Sequence, residues 1–206
     1  MDWFNVQIRP RLSVGLGLGF GYNQQDGSPD SINQQYQGRV SWRATDKISF
    51  QLGGGLQDQE YLSGGASDLV TPILNAGIQY QPFDQTQLSL NVSRTVSPST
   101  FQNQATEATS ITGGLNQRLL GRLTSDLNGG YTTTDYIATS SGLSTGRSDD
   151  LYDFSARLSC FFLQRRTVSL IYEFSDNNSS QNGFAASSSA FGFTSNQIGF
   201  EIGWRY

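Results

Sequence analysis

The charged residues best placed to do chemistry in this sequence fall at alternate positions of segments that are otherwise polar at those positions. They are Arg39, Arg43, Arg118, Asp126, Asp153, Arg157, Glu173, Glu201 and Arg205. If these side chains face one water-filled space, their opposite charges would create a transverse field that weakly selects and orients polar solutes. The alternative is that arginine and carboxylate pairs only brace or plug that space. The sequence leaves both interpretations open.

Most catalytic and metal-binding chemistry is missing from the chain, which contains no histidine and one cysteine. Without histidine there is no ordinary proton shuttle for a hydrolase. Metal sites also lose their commonest ligand, and no cluster of Cys, Asp or Glu replaces it. Glycines recur at every second position from Gly15 to Gly21, a spacing unlike that of phosphate-binding loops. We therefore expect no enzymatic activity, no metal and no cofactor.

Strict alternation of apolar and polar residues sets which way these charges point. From Leu12 to Asn23, large apolar residues interleave with Ser, Gly and Asn. A period of two is that of a β-strand with one apolar face, so the glycines and charges fall on the other face. The alternation recurs to give about ten strands of roughly 10 to 14 residues each. An all-β fold follows.

Connections between these strands alternate between two kinds. Short turns are predicted at 9–11, 45–47, 84–86, 121–122 and 164–166, and long polar segments at about 24–35, 61–71, 97–108, 135–149 and 176–193. In an up-and-down meander, all short turns then lie on one rim and all long loops on the other. Short turns at one rim and long external loops at the other are typical of outer-membrane barrels.

Composition narrows the class of protein further. Hydrophobic residues make up 36% of the chain and charged residues 15%, too few for a thick, dry core. A 12% aromatic content and a net charge of −4 argue against disorder. No apolar run approaches the roughly 20 residues of a membrane-spanning helix, and no basic cluster suggests nucleic acid as a partner. A soluble sandwich is the alternative, but its strands are commonly about 5 to 6 residues long.

Aromatic residues are predicted to form two belts at the ends of the apolar bands. Amphipathic rings are favoured at both interfaces of a bilayer, so the belts predict contact with lipid. Toward the short-turn rim lie Trp42, Phe50, Tyr80, Phe162 and Trp204, and toward the long-loop rim lie Tyr22, Tyr36, Tyr131 and Tyr152. Arg94 interrupts the apolar positions near one strand end, where we expect it to extend to lipid headgroups.

The C-terminal segment alternates to its last residue. Its apolar positions are Ile198, Phe200, Ile202, Trp204 and Tyr206. This pattern resembles the terminal-strand signal that the barrel-assembly machinery of the outer membrane recognises.

Taken together, the chain resembles bacterial outer-membrane β-barrel proteins, especially the putative beta-barrel porin families. The resemblance runs from about Val6 to Tyr206 and rests on two-strand units such as Val40 to Leu56 and Ile78 to Val92. It implies one antiparallel up-and-down transmembrane β-barrel domain over residues 1–206, in the outer membrane of a Gram-negative bacterium. The implied function is a porin-like channel for passive diffusion of small polar solutes. The implied partners are the lipid bilayer, lipopolysaccharide and the assembly machinery.

Two other functions remain open from the residues alone. One is the barrel component of exopolysaccharide export, and the other is a non-conducting structural or adhesive barrel that acts through its long loops. The strand number is also open. Phe4, Val6 and Ile8 alternate before the first turn, so this remnant plus ten strands gives an odd number, whereas antiparallel closure needs an even one. We expect the C-terminal part of a larger barrel, the alternative being a complete barrel of about ten strands.

Overall fold

The computed structural model describes residues 1–24, 30–62, 68–98, 104–138, 146–162, 166–182 and 191–204. These residues form one antiparallel sheet whose strands follow one another in chain order, as the alternating pattern predicts. The strands are β1 (Asp2–Arg9), β2 (Leu12–Asn23), β3 (Ser31–Arg43), β4 (Ile48–Tyr61), β5 (Leu69–Phe83), β6 (Thr86–Pro98), β7 (Gln104–Leu119), β8 (Leu123–Ala138), β9 (Gly146–Phe162), β10 (Arg166–Asn182) and β11 (Phe193–Trp204). Within the described ranges, none of the secondary structure is a helix long and apolar enough to traverse a membrane.

The segment that the sequence predicts to be the end of an earlier strand forms β1, which pairs with β2 from Asp2 opposite Leu18 onward. The described sheet therefore has eleven strands, of which β1 and β11 are the edges, and it does not close on itself. Neighbouring strands in an antiparallel meander run in opposite directions, so β1 and β11 run in the same direction. These two edges could pair only in parallel.

The strands near the long-loop rim extend further than their apolar alternation predicts. The sequence predicts long loops at about 135–149 and 176–193, but β9 begins at Gly146 and β10 continues to Asn182. Their ladder stays in register as far as Asn182 opposite Gly146. A strand needs apolar residues only where a face meets hydrocarbon. Beyond the apolar band, cross-strand hydrogen bonds between polar side chains stabilise the pairing of the strands.

The short turns are built from local hydrogen bonds and from backbone that favours glycine. In the β3–β4 turn, the Thr45 hydroxyl oxygen accepts from the N–H groups of Lys47 and Ile48 at 3.1 and 3.0 Å. In the β7–β8 turn, Leu120 and Gly121 have φ of 50° and 69°. Glycine adopts this left-handed region without steric cost, whereas a leucine there is strained and is tolerated at an exposed turn.

This sheet is a single layer with almost no interior. Among the described residues, the only buried hydrophobic side chains are Val96 and Ala105. Large apolar side chains are instead exposed along the whole sheet, for example Phe20 at 73% and Ile198 at 80%. An apolar surface of this extent is unstable in water, so its stability requires hydrocarbon or a covering partner.

Candidate functional site

The predicted pore-lining charges lie on one face of the sheet, which we call the polar face. Paired residues on neighbouring antiparallel strands project to the same side. Arg43 pairs with Ser49, and the ladder continues strand by strand until Ser155 pairs with Glu173. Alternation along each strand then places the other predicted charges on this face. They are Arg39, Arg118, Asp126, Asp153, Arg157 and Glu201. Arg205 lies outside the described residues.

Three of these charges come together on the polar face of β8–β11. Asp126 pairs directly with Arg157, and the Arg157 Nη1 donates to Glu201 Oε2 at 3.0 Å. The side chains of Arg157 and Glu201 are 46% and 57% exposed. They border an open groove of about 450 Å³, into which Asp126 also projects. The ion pair therefore lies on an accessible wall, where it contributes little to stability but sets the local field.

Arg39 is held by two neighbours that the sequence did not single out. Its Nε and Nη2 donate to Asn5 Oδ1 at 3.1 and 2.8 Å, and its guanidinium lies 4.0 Å from the centre of the Trp3 ring. The signal for Trp3 was available, because Trp3 and Asn5 alternate with the apolar residues of β1.

The other predicted charges form no ion pairs with one another in the described ranges. The Asp153 carboxylate lies against Gly130, where an added Cβ would overlap it. Arg43, Arg118 and Glu173 are exposed, and none of them forms an ion pair with another residue in the described ranges. Within the part of the chain that the structure describes, the polar face therefore has one ion pair between predicted residues and several charges that face solvent.

A buried polar cluster near the long-loop rim was missed by sequence reasoning. Asp149, 7% exposed, accepts hydrogen bonds from four donor atoms. Arg147 donates from Nε at 2.9 Å and from Nη2 at 2.5 Å. The Ser179 and Tyr136 hydroxyls donate at 2.5 and 3.1 Å. The cluster joins β8, β9 and β10 on the polar face. It was missed because its polar sequence resembles a loop.

The electrostatics of this cluster favour the charged carboxylate. Burial alone would raise the pKa of Asp149, but hydrogen bonds from Arg147, Ser179 and Tyr136 and the charge of Arg147 outweigh burial and lower it. Burial and the neighbouring Asp149 charge raise the pKa of the Tyr136 hydroxyl. Asp149 is therefore ionised and Tyr136 neutral near pH 7, which is the arrangement that the hydrogen bonds require.

The opposite face of the sheet, which we call the apolar face, carries the residues that the sequence predicts to form two aromatic belts. Near the short turns, Trp42 pairs with Phe50 and their ring centres lie 5.5 Å apart. Near the long loops, Tyr131 pairs with Tyr152 at 4.9 Å. The remaining predicted members share this face. Tyr80, Phe162 and Trp204 lie by the short turns and Tyr22 by the long-loop end of β2, whereas Tyr36 lies near the middle of β3.

Two tyrosine hydroxyls of the belt predicted toward the long-loop rim donate to acidic side chains on the long-loop side of the rings. Tyr22 donates to Asp30 at 2.8 Å and Tyr131 to Asp150 at 2.7 Å. Each ring thus has an apolar body and a hydrogen-bonded tip directed away from the apolar band. This arrangement suits the boundary between hydrocarbon and headgroups.

Arg94 has a protein partner on the apolar face. Its Nη2 lies 2.5 Å from Glu107 Oε1, and the Glu107 side chain is 16% exposed. Its extension to lipid headgroups stays a prediction, but its charge is already matched within the sheet. In the terminal strand, Phe200, Ile202 and Trp204 share the apolar face, while Tyr206 lies outside the described residues.

The match to a protein family supports the same architecture. A family model described as Putative beta-barrel porin 2 matches residues 22–200. Among solved structures, the chain is similar to one named "Copper transporter OprC", at 11% sequence identity and a TM-score of 0.47. That similarity covers 93% of this chain and 36% of the other, so the chain spans about a third of that structure. No curated protein matches the chain.

Proposed function

The chain belongs to the Putative beta-barrel porin 2 family, and we propose that it forms the wall of an outer-membrane pore through which small polar solutes diffuse passively. The family and the single-layer sheet support a barrel with the polar face toward its lumen. The observation that carries the proposal is the exposed Arg157–Glu201 pair on this face, opposite an equally exposed apolar face. Such a wall separates water from hydrocarbon.

The proposed pore selects weakly by charge. Arg157 and Glu201 present opposite charges to an open groove, with Asp126 beside them. Charged side chains that line a passage bias which ions enter it, and they bind too weakly to stop them from leaving. We propose no catalytic role for any of these residues.

The proposed surroundings are the lipid bilayer and lipopolysaccharide of the bacterial outer membrane. The apolar face would contact lipid between the two aromatic belts. The acidic and amide side chains above the Tyr22 and Tyr131 rings would lie at headgroup level. The alternation of Phe200, Ile202 and Trp204 would be read by the barrel-assembly machinery.

Single-channel recording tests this function. The protein is refolded, its folding is checked by heat-modifiable gel migration, and its conductance and reversal potential are measured in a planar bilayer under a salt gradient. We expect stable, ohmic openings. Glu201→Gln should shift the reversal potential in the direction of anion selectivity, and Arg157→Gln in the direction of cation selectivity. Asp46→Asn in the β3–β4 turn removes the same charge as Glu201→Gln and serves as the control. A folded but silent protein would contradict the proposal and direct attention to the long-loop rim.

A further inference from the structure

The polar face is divided into a charged part and an amide part. The charged part lies on β8–β11, where Asp126, Arg157 and Glu201 meet. On β3–β6, the polar-face positions carry mainly glutamine, asparagine, serine, threonine and glycine, and Arg39 and Arg43 are their only charges in the described ranges. The carboxylates of β4, Asp58 and Glu60, fall at apolar-face positions. Strand β4 thus contains carboxylates, but they face the other side of the sheet. The division therefore arises from strand register and not from a lack of charged residues in these strands.

An open groove of about 380 Å³ lies within the amide part. The side chains that line it include Trp3, Arg39, Gln51, Asn75, Asn91 and Ser93. We call this set the amide groove. Gly53 and Gly77 lie beneath two of these amides, since an added Cβ at Gly53 would overlap the Asn75 amide, and one at Gly77 would lie 3.0 Å from Asn91 Oδ1. The glycines let the amides lie against the wall and leave the groove open.

Between the amide groove and the long-loop rim, glutamine amides bond to the protein instead of facing an open space. Gln35 Nε2 donates to Gln57 Oε1 at 3.1 Å, and Gln57 Nε2 donates to the Val96 carbonyl at 3.2 Å. Gln57 is only 3% exposed. These amides bond to the protein itself and brace the wall. Asn75 and Asn91, in contrast, are exposed to the groove.

The chemistry of the amide groove fits one class of solute. A primary amide presents donors and an acceptor side by side, and a hydroxyl group likewise donates and accepts. A solute rich in hydroxyls can exchange its hydrogen bonds with water for bonds to these amides without leaving a buried group unpaired. The Arg39 guanidinium is positioned by Asn5 and Trp3 and lines the groove as a further hydrogen-bond donor. Among the described residues, no carboxylate lines this groove to attract cations.

We propose that the amide groove is a binding subsite for neutral, polyhydroxylated solutes of the saccharide class. The proposal rests on the proposed pore function, because the groove faces the lumen only if the sheet forms a barrel wall. A saccharide bound there would reduce the ion current during its residence in the pore.

The primary test measures block of the salt current by maltotriose in planar bilayers. We expect partial, saturable block of the wild-type channel, with a half-blocking concentration raised at least threefold in the variant Asn75→Ala/Asn91→Ala. Asn128→Ala, which removes an amide from the polar face of β8, is the matched control and should leave block unchanged. A polyethylene glycol of similar size should block less, since it lacks hydroxyls along its length. Equal block by both probes, or equal loss in the control, would overturn the subsite.

A second measurement separates failure of the subsite from failure of the pore. With Trp42→Phe and Trp204→Phe, Trp3 is the remaining tryptophan, and it lies in the amide groove. In the refolded full chain in detergent micelles, maltotriose should change Trp3 fluorescence saturably, and adding Asn75→Ala/Asn91→Ala should abolish the change. This response is expected even if the channel is silent. Ohmic conductance without block or fluorescence change would refute the subsite and leave the pore intact.

Discussion

The Arg147 guanidinium carbon lies 3.8 Å from the centre of the Phe191 ring. The same guanidinium lies 4.4 Å from the Tyr136 ring centre, and the Asn177 amide donates to the Phe191 carbonyl at 2.8 Å. Phe191 comes just before β11, so this contact attaches the start of the last strand to the polar face of β8–β10. Asp149 holds Arg147 in position through two hydrogen bonds.

Removing the charge of Asp149 should loosen this attachment. Asp149→Asn keeps the shape of the side chain but loses charge-assisted bonds, so we expect a loss of about 2 kcal/mol in unfolding free energy. The measurement is the urea midpoint of folded protein in lipid vesicles, read by heat-modifiable migration. Asp135→Asn, exposed on neighbouring β8, is the control and should stay within about 0.5 kcal/mol of wild type. Equal effects of the two variants would disprove the role of Asp149.

Acidification should weaken the same cluster. Because the folded-state pKa of Asp149 is lowered, its stabilisation is fully present above the unfolded pKa of about 4 and is lost as pH falls through the lower, folded value. The stability difference between wild type and Asp149→Asn should therefore stay constant from pH 8 to 5 and shrink below pH 4. A difference that already shrinks between pH 8 and 6 would contradict this assignment.

Gly55 should not tolerate a side chain. An alanine Cβ at this position would overlap the Tyr36 carbonyl oxygen and approach the backbone of Gln37 to 2.8 Å. Backbone atoms cannot move away without breaking the β3–β4 ladder, so we expect Gly55→Ala to cost about 1 to 3 kcal/mol. Gly203→Ala is the control, because an added Cβ there meets nothing within 4 Å. The measurement is the urea midpoint of unfolding of each variant. Equal midpoints for Gly55→Ala and Gly203→Ala would refute the steric argument.

Tryptophan quenching should reveal which face meets lipid. Trp42 and Trp204 lie on the apolar face, 50% and 61% exposed, whereas Trp3 lies on the polar face beside Arg39. Three variants, each retaining one tryptophan, are refolded into vesicles of brominated lipid. Trp42 and Trp204 should be strongly quenched and Trp3 much less. Quenching of Trp3 equal to that of Trp42 would mean that the polar face does not line a protected lumen.

Much of the fold could be predicted from the sequence, because alternation of period two assigns each strand residue to a face. The pairing of Val14 with Val40 and of Leu52 with Ala76 follows once short turns make neighbouring segments antiparallel. The family resemblance, built on the same two-strand units, is confirmed by the match over residues 22–200. The faces of Arg39, Asp126 and Glu201 were predictable for the same reason.

The sequence by itself determined which side of the sheet the side chains of the alternating segments take, since that depends only on position within a strand. Only the tertiary structure decided which side chains meet. Arg157 and Glu201 are 44 residues apart in sequence, and their contact depends on the register of β9, β10 and β11 together. The polar segment around Arg147 and Asp149 became strand because bonds from β8 and β10 converge on it. Such bonds come from distant parts of the chain, and no local pattern encodes them.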